Sequence, residues 1–309
     1  MKGMTKLQAN LCLLCVTLCW STEVIIFACI PKTVPAAATN CITSAIGAAI
    51  LAASFFRRIR TNLKQGGRRL ILACLTMSIL NGAYNTMYIY GLKHFDVSTG
   101  AFTLSMTVVV LPVILLTLRQ KVTLHTWLSA ALVLAGILLS IFGKVHIGQT
   151  KGLMLMIGGC MVRAVYIVLV NKYAKEYDPL TMSALITAMS AMLNFGLWFA
   201  DDPHTFASLE LSRPAIASLF IHAYFIVAFA QTINFFAQRR TTAASATVIY
   251  SLEIVFSILW GVILPPSIIE PAELTLRTVI GVLFVVAGSL IELIDFRSLI
   301  KKGVAVNEE

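Results

Sequence analysis

Long apolar stretches recur along the whole chain and constrain its fold more than any other feature of the sequence. About 20 consecutive apolar residues form a helix that crosses about 30 Å of hydrocarbon. Of the 309 residues, 58% are hydrophobic and 12% are charged, and the mean hydropathy is +0.86. The charged residues gather in short clusters between the apolar stretches. The sequence therefore predicts an all-α polytopic membrane protein.

The apolar stretches, and the charged or proline-rich breaks between them, predict ten transmembrane helices. These spans cover residues 7–30, 35–56, 69–92, 97–118, 125–143, 150–172, 180–200, 213–237, 243–264 and 275–295. The connections are short, so we expect no large domain outside the membrane. The first apolar stretch continues to Ile30 without a small-residue cleavage site, so we interpret it as a retained span and not as a signal peptide.

Lysine and arginine are distributed unevenly between the two ends of the predicted spans. If the amino terminus is cytoplasmic, most of the 24 Lys and Arg residues fall in cytoplasmic segments, and Arg163 lies within a span. This satisfies the positive-inside rule and predicts that both termini are cytoplasmic. Because the basic residues adjoin apolar stretches, the net charge of +10 is interpreted as a topology signal and not as a nucleic-acid-binding surface.

The two halves of the chain resemble each other. TLCWSTEVIIF aligns with GGCMVRAVYIV, VVVLPVILL with YSLEIVFSI, and LVLAGILLSI with FVVAGSLIEL, in the same order in both halves. A unit of five spans begins and ends on opposite sides, so a second copy enters the membrane from the other side. The sequence thus predicts two inverted five-helix repeats, residues 1–146 and 147–309, an architecture that recurs in secondary transporters.

Several short motifs resemble those of the EamA group of the drug/metabolite transporter superfamily. They are Trp20-Ser21 in span 1, VLPVI in span 4, SLEIV in span 9, and the spacing from Gly281 to Gly288 in span 10. The resemblance implies a carrier of small metabolites, often an exporter of amino acids or related compounds. We therefore expect a multi-pass protein of the bacterial inner membrane, whose partners are a small-molecule substrate and the lipid bilayer.

Glu23 lies near the middle of the first span, where a carboxylate opposes insertion by about 2.5 to 3.5 kcal/mol. In the repeat alignment it falls one residue from the equivalent of Arg163. We therefore expect the two side chains to meet at mid-depth, where Glu23 would alternately pair with Arg163 and bind a proton or a cationic group of the substrate. A purely structural ion pair is the alternative.

Other polar residues within the spans predict a wet central cavity. Glu253 shares one face of span 9 with Tyr250 and Ser257, and it either lines the substrate path or hydrogen-bonds these neighbours. Amides within hydrocarbon need partners or water, so they either line a cavity or join helices. Residues of this kind with helical spacing are Asn81, Tyr84, Asn85 and Tyr88 in span 3, and Gln231, Asn234 and Gln238 in span 8.

Trp20 and the tyrosines would give the cavity an aromatic wall suited to an ammonium or apolar group. Glu292 and Asp295, near the inner end of span 10, are expected to be interfacial, as are most histidines; only His222 lies within a span.

The sequence argues against several other classes of protein. It contains no phosphate-binding loop of a primary pump, no H-E-x-x-H motif and no G-x-S-x-G motif, so we expect neither a pump nor an enzyme, and no cofactor. Cys12, Cys15 and Cys19 share a helical face but have no nearby histidine to complete a metal site. A facilitative channel and a non-transporting receptor are the alternatives to a carrier. Proton coupling is left open, and so is the choice between a monomer and a homodimer.

Overall fold

The computed structural model of the protein describes residues 4–31, 33–92, 106–141, 150–209, 211–266 and 274–293. In these residues every regular element is a helix, which confirms the all-α class for them. The helices are α1 (Lys6–Ser21), α2 (Glu23–Ala28), α3 (Ala36–Leu92), α4 (Thr107–Thr117), α5 (Leu124–Ile141), α6 (Thr150–Glu176), α7 (Pro179–Asp201), α8 (Pro203–Ser208), α9 (Arg213–Ile221), a π-helix (His222–Ala230), α10 (Gln231–Gln238), α11 (Ala243–Tyr250), α12 (Leu252–Ile263) and α13 (Leu276–Leu293).

Six helical segments of the described chain are long and apolar enough to cross a membrane, so the protein is a polytopic membrane protein. They are Lys6–Phe27, Ala36–Met87, Met154–Glu176, Pro179–Asp201, Arg213–Gln238 and Ala243–Ile263, and two shorter apolar helices cover Thr107–Thr117 and Leu124–Ser140. The first part of the predicted span 97–118 lies outside the described residues, and the total of ten spans stays a prediction.

Non-helical backbone divides α3 near both ends of the break that the sequence predicts between spans 2 and 3. We expect a connection at residues 57–68, and the backbone angles leave the helical range at Phe55 and at Gly67, so α3 consists of helical segments separated by kinks. Gly67 has a φ of 54°, which glycine adopts without steric cost. The Arg, Lys, Gln and Leu residues of this segment favour a helix even though most are too polar for hydrocarbon. The connection between the two predicted spans is therefore itself helical, between one kink at Phe55 and another at Gly67.

A hydroxyl residue interrupts each of spans 1 and 9 near its middle. Thr22 separates α1 from α2, and Ser251 separates α11 from α12. The Thr22 hydroxyl donates to the carbonyl oxygen of Cys19 at 2.6 Å, and the Ser251 hydroxyl donates to that of Val248 at 2.5 Å. Such bonds compete with the helical backbone bonds and bend helices. The first turn of a new helix therefore begins inside each of these two spans.

The bundle is held together mainly by contacts between its amino-terminal and carboxy-terminal halves. Helix α1 packs against α10, α11 and α12, whereas α6 packs against α3 and α4. Helix α3 packs along α7, and α5 packs along α13. Fully buried apolar side chains such as Leu13, Met77, Leu111, Ile137 and Phe235 fill the core. Neither half therefore encloses the core by itself.

Helices α5 and α13 approach each other closely enough for small residues to be required. A Cβ atom on Gly288 would lie 2.7 Å from the carbonyl oxygen of Ser129, and one on Gly281 would lie 2.6 Å from that of Gly136. Ser129 precedes Gly136 in α5 while Gly288 follows Gly281 in α13, so the two helices run antiparallel. The glycine spacing of span 10 thus serves close backbone packing, as small residues do in membrane bundles.

Replacing Gly288 by alanine should destabilise the protein by about 1 to 3 kcal/mol, because the added methyl group meets a backbone carbonyl that cannot move aside. The matched control is Gly196→Ala on α7, where nothing lies within 4 Å of the new atom. That variant should be neutral or gain up to about 1 kcal/mol of helix propensity. Unfolding of both purified variants in detergent measures the difference, and equal stability would contradict the packing role.

Candidate functional site

An arginine and a glutamate from different helices form an ion pair inside the bundle. Arg163 lies on α6, and Glu253 lies in the first turn of α12, directly after the break at Ser251. A guanidinium nitrogen lies 3.7 Å from a carboxylate oxygen, and the side chains of Arg163 and Glu253 are 10% and 24% exposed. The exposed N–H groups of a helix start favour a carboxylate at this position. The pair is therefore largely buried, but both side chains keep some contact with solvent.

This pair differs from the one that the repeat alignment predicts. We expect Arg163 to meet Glu23, but Arg163 pairs with Glu253, and Glu23 lies 3.4 Å from the Nε2 atom of His222. The reason is helix packing: Glu23 lies on α2, which contacts α9 and the π-helix, while α6 contacts α3, α4, α10 and α11. Spans 1 and 6 hold equivalent positions in the two halves, and equivalent positions need not be neighbours.

Glu23 lies opposite a buried histidine. It occupies the first turn of α2, and His222 begins the π-helix and is 4% exposed. The His222 ring packs against Phe27 with 4.9 Å between centroids, and neither of its ring nitrogens has a hydrogen-bond partner. π-Helical turns are frequent at functional sites. The only sequence signal for His222 is that it is the one histidine within a predicted span.

Two tyrosines connect the Arg163–Glu253 pair to the amide residues of neighbouring helices. The Arg163 Cζ atom lies 5.9 Å from the centroid of the Tyr84 ring, which is within reach of a cation–π interaction. The Tyr84 ring lies 5.8 Å from the Tyr166 ring, and the Tyr166 hydroxyl accepts a hydrogen bond from Gln231 at 2.7 Å. We call Tyr84, Arg163, Tyr166, Gln231 and Glu253 the central polar cluster.

Tyr166 is absent from the sequence prediction although its position offers a signal. It lies three residues after Arg163 on α6, the spacing that puts two side chains on one face of a helix. Through Tyr166 the structure brings the predicted residues Tyr84 of α3 and Gln231 of α10 into one cluster. Of the two predicted acids, Glu253 adjoins this cluster through Arg163, and Glu23 lies beside His222.

The remaining amides of α10 have a different environment. Asn234 and Gln238 are 2% and 1% exposed. The Tyr250 hydroxyl donates to Asn234, and the Gln238 side chain donates to Tyr250 at 2.9 Å and to Asn234 at 3.2 Å. For these three residues the contacts match the second alternative in the sequence analysis, in which amides join helices.

Among the residues that the sequence places on the wall of the cavity, Asn234 and Tyr250 are buried, whereas those of α3 whose side chains are described and Trp20 are half-buried. Asn81, Tyr84 and Asn85 are half-buried along α3; Tyr88 belongs to the same helix, and its side chain is outside the described part of the structure. Trp20 is half-buried and packs on Tyr250 with 5.1 Å between ring centroids. Trp20 and Tyr250 therefore form an aromatic surface next to the break at Thr22.

Glu292 corrects the prediction of an interfacial carboxylate. It is 2% exposed, and the Ser245 hydroxyl donates to it at 2.5 Å. The first turns of α5 and α11 cover this end of α13, and a covering neighbour is not visible in the sequence of a single helix. Asp295 lies outside the described residues. Over the described part of the chain no three His, Cys, Asp or Glu side chains are grouped as metal ligands.

The fold and this interior define a helical membrane protein with a site of ionisable side chains enclosed by its bundle. Residues 7–142 and 150–293 each match the EamA-like transporter family, and the chain belongs to that family. The resemblance stated above is thereby confirmed, and the family consists of membrane transporters of the drug/metabolite type. No curated protein matches the chain.

A solved structure described as "Crystal structure of protein" shares the fold, with a TM-score of 0.73 and 16% identity over 92% of this chain and 96% of that chain.

The partner of Arg163 can be tested by stability. Arg163→Gln should destabilise the protein by up to about 3 kcal/mol, because Glu253 then keeps a poorly solvated charge. Adding Glu253→Gln should restore most of that loss, whereas adding Glu23→Gln should not. Denaturant unfolding of the single and double variants in detergent separates the two acids. If Glu23→Gln restored the stability of Arg163→Gln and Glu253→Gln did not, Arg163 would pair with Glu23 instead.

Proposed function

We propose that the protein is a secondary transporter that moves a small polar metabolite across the membrane by alternating access. The observation that carries the proposal is the Arg163–Glu253 pair, which is enclosed by a bundle of apolar helices and yet retains some exposure. Ionisable groups within a membrane bundle commonly mark a substrate or ion pathway. Family membership supports transport in general, and the central polar cluster supports a polar substrate.

We further propose that the ten predicted spans form two inverted repeats, residues 1–146 and 147–309. The α5–α13 contact supports this proposal. The alignment equates Ser129 with Gly281 and Gly136 with Gly288, and the structure pairs Ser129 with Gly288 and Gly136 with Gly281. Such exchanged pairs are what a two-fold axis between equivalent helices produces. Equivalent helices that run antiparallel are expected of repeats inserted in opposite directions.

The chemistry of the cluster favours an amino acid or a related zwitterion as the substrate. Arg163 would bind a carboxylate of the substrate, and Glu253 would bind its ammonium group. The aromatic surface of Trp20 and Tyr250 lies on the neighbouring helices α1 and α11 and suits an ammonium or apolar group. Binding would then replace the Arg163–Glu253 pair by two pairs with the substrate. Export is the direction that the family resemblance favours.

Glu23 is proposed to bind a proton, with His222 as its neighbour. A carboxylate and an imidazole 3.4 Å apart form an ion pair only while the imidazole is protonated. Loss of that proton would leave the neutral, buried imidazole of His222 beside the charged carboxylate of Glu23. This gives the transport cycle a group that can respond to a proton gradient.

The proposed location is the inner membrane of a bacterium, with both termini in the cytoplasm, as the distribution of Lys and Arg indicates. A facilitative channel or a non-transporting receptor is the competing function. A carrier saturates and shows counterflow, whereas a pore does neither.

Transport can be tested with the purified protein in liposomes that are screened with radiolabelled amino acids, amines and nucleobases. We expect saturable uptake and counterflow of at least one zwitterionic compound. Glu253→Gln should lower the uptake rate at least about tenfold, equivalent to about 1.4 kcal/mol. Glu176→Gln, at the exposed end of α6, is the control that should keep it. Flux that neither saturates nor exchanges would identify a channel.

Proton binding at Glu23 predicts a distinct pH profile for the transported compound. Wild-type uptake should differ between about pH 5 and about pH 8. Glu23→Gln should flatten this dependence, while Glu176→Gln should retain it. If Glu23→Gln follows the wild-type profile at every pH, the proton is carried elsewhere.

A further inference from the structure

A second buried acid lies outside the central polar cluster. Glu292 is next to the last residue of α13 and is 2% exposed. Its Oε1 atom accepts the hydrogen bond from Ser245, and its Oε2 atom is buried without a hydrogen-bond partner, 3.3 Å from the Nδ1 atom of His125. We call His125, Ser245 and Glu292 the Glu292 cluster. It joins the first turns of α5 and α11 to the last turn of α13.

The Ser245 hydroxyl has a fixed direction. It accepts a hydrogen bond from the Thr242 hydroxyl at 2.8 Å and donates its own proton to Glu292. The carboxylate therefore has one satisfied oxygen and one oxygen that faces an imidazole. A buried polar atom without a partner costs about 1 to 3 kcal/mol, and more when it is charged. A proton on Oε2, or on the facing imidazole nitrogen, would satisfy both atoms.

His125 is the more exposed member of this pair. Its side chain is 37% exposed, while that of Glu292 is 2% exposed, and its Nε2 atom is buried without a hydrogen-bond partner. His125 lies within ion-pair distance of Glu292. Charged groups on or next to the adjoining elements are Arg119 and Lys121 before α5, Arg239 and Arg240 before α11, Lys6 on α1, Glu253 on α12 and Arg277 on α13. We propose that Glu292 and His125 form a proton-binding site, on the side of the bundle that the charge distribution assigns to the cytoplasm.

A proton is favoured over a metal cation at this position. A cation such as Na⁺ needs several oxygen ligands, whereas the free carboxylate oxygen of Glu292 faces a ring nitrogen. An imidazole nitrogen and a carboxylate oxygen can share one proton between them, as donor and acceptor of a single hydrogen bond. The site binds a proton without any covalent or redox step.

Protonation of Glu292 would act on the segment that carries Glu253. Helices α11 and α13 meet along a seam of polar contacts that begins at Glu292. Ser289 donates to the carbonyl oxygen of Val248 at 3.2 Å, and its hydroxyl lies 3.3 Å from that of Ser251. Ser251 is the break from which Glu253 follows. This consequence rests on the proposed function, whereas the proton site itself does not.

Infrared difference spectroscopy of the purified full-length protein, recorded between about pH 5 and about pH 8, tests the site without a substrate. Acidification of the wild type should produce the carbonyl stretching band of a protonated carboxyl group. Glu292→Gln should remove that band, Ser245→Ala should keep it at a shifted frequency, and Glu253→Gln should leave it in place. A band that is unchanged in Glu292→Gln overturns the proposal.

Two further measurements keep the test decisive. If Glu292→Gln does not fold, His125→Asn replaces it and should shift the pH midpoint of the band; an unshifted midpoint overturns the role of His125. Exchange of NaCl for choline chloride should leave the wild-type spectrum unchanged, and a sodium-dependent band would assign the site to a metal cation instead. Absence of transport in liposomes would leave the band in place, so failure of the proposed function and failure of this site are distinguishable.

Discussion

A charge inside an apolar bundle must be compensated, and the interior of this protein is organised by that requirement. Three acids within the predicted spans each lie beside a basic side chain from another helix: Glu253 beside Arg163, Glu23 beside His222, and Glu292 beside His125. Glu23 and Glu253 also follow helix breaks, where backbone N–H groups are unpaired. The electrostatic pairs therefore connect helices that are far apart in the sequence.

The sequence predicts the class, the family and most of the polar residues of the interior, but not their partners. Apolar periodicity and loop charge are local properties, so they identify membrane helices from the residues alone. The repeat alignment identifies Glu23 and Arg163 as unusual, and it states only that their helices are equivalent. Which acid meets the arginine depends on how the halves pack, and in this bundle α12 supplies it.

The remaining differences have the same origin in tertiary structure. The breaks at Thr22 and Ser251 depend on a hydroxyl turning back to its own helix, which a composition pattern does not show. The burial of Glu292 depends on α5 and α11 covering the end of α13. Tyr166 and His222 gain their positions from neighbours on other helices. The sequence pattern of one helix shows on which face of the helix a residue lies. Whether that face is buried depends on the neighbouring helices.

The glycine contact between α5 and α13 also limits how the molecule can move. The backbones of the two helices touch at the glycines. If α13 slid along α5 by one residue, a side chain would be pressed into a carbonyl group, so this pair of helices is expected to move as one rigid unit. Spans 1 and 9, by contrast, contain the helix breaks at Thr22 and Ser251. Bending is therefore expected in spans 1 and 9, while the α5–α13 pair stays fixed.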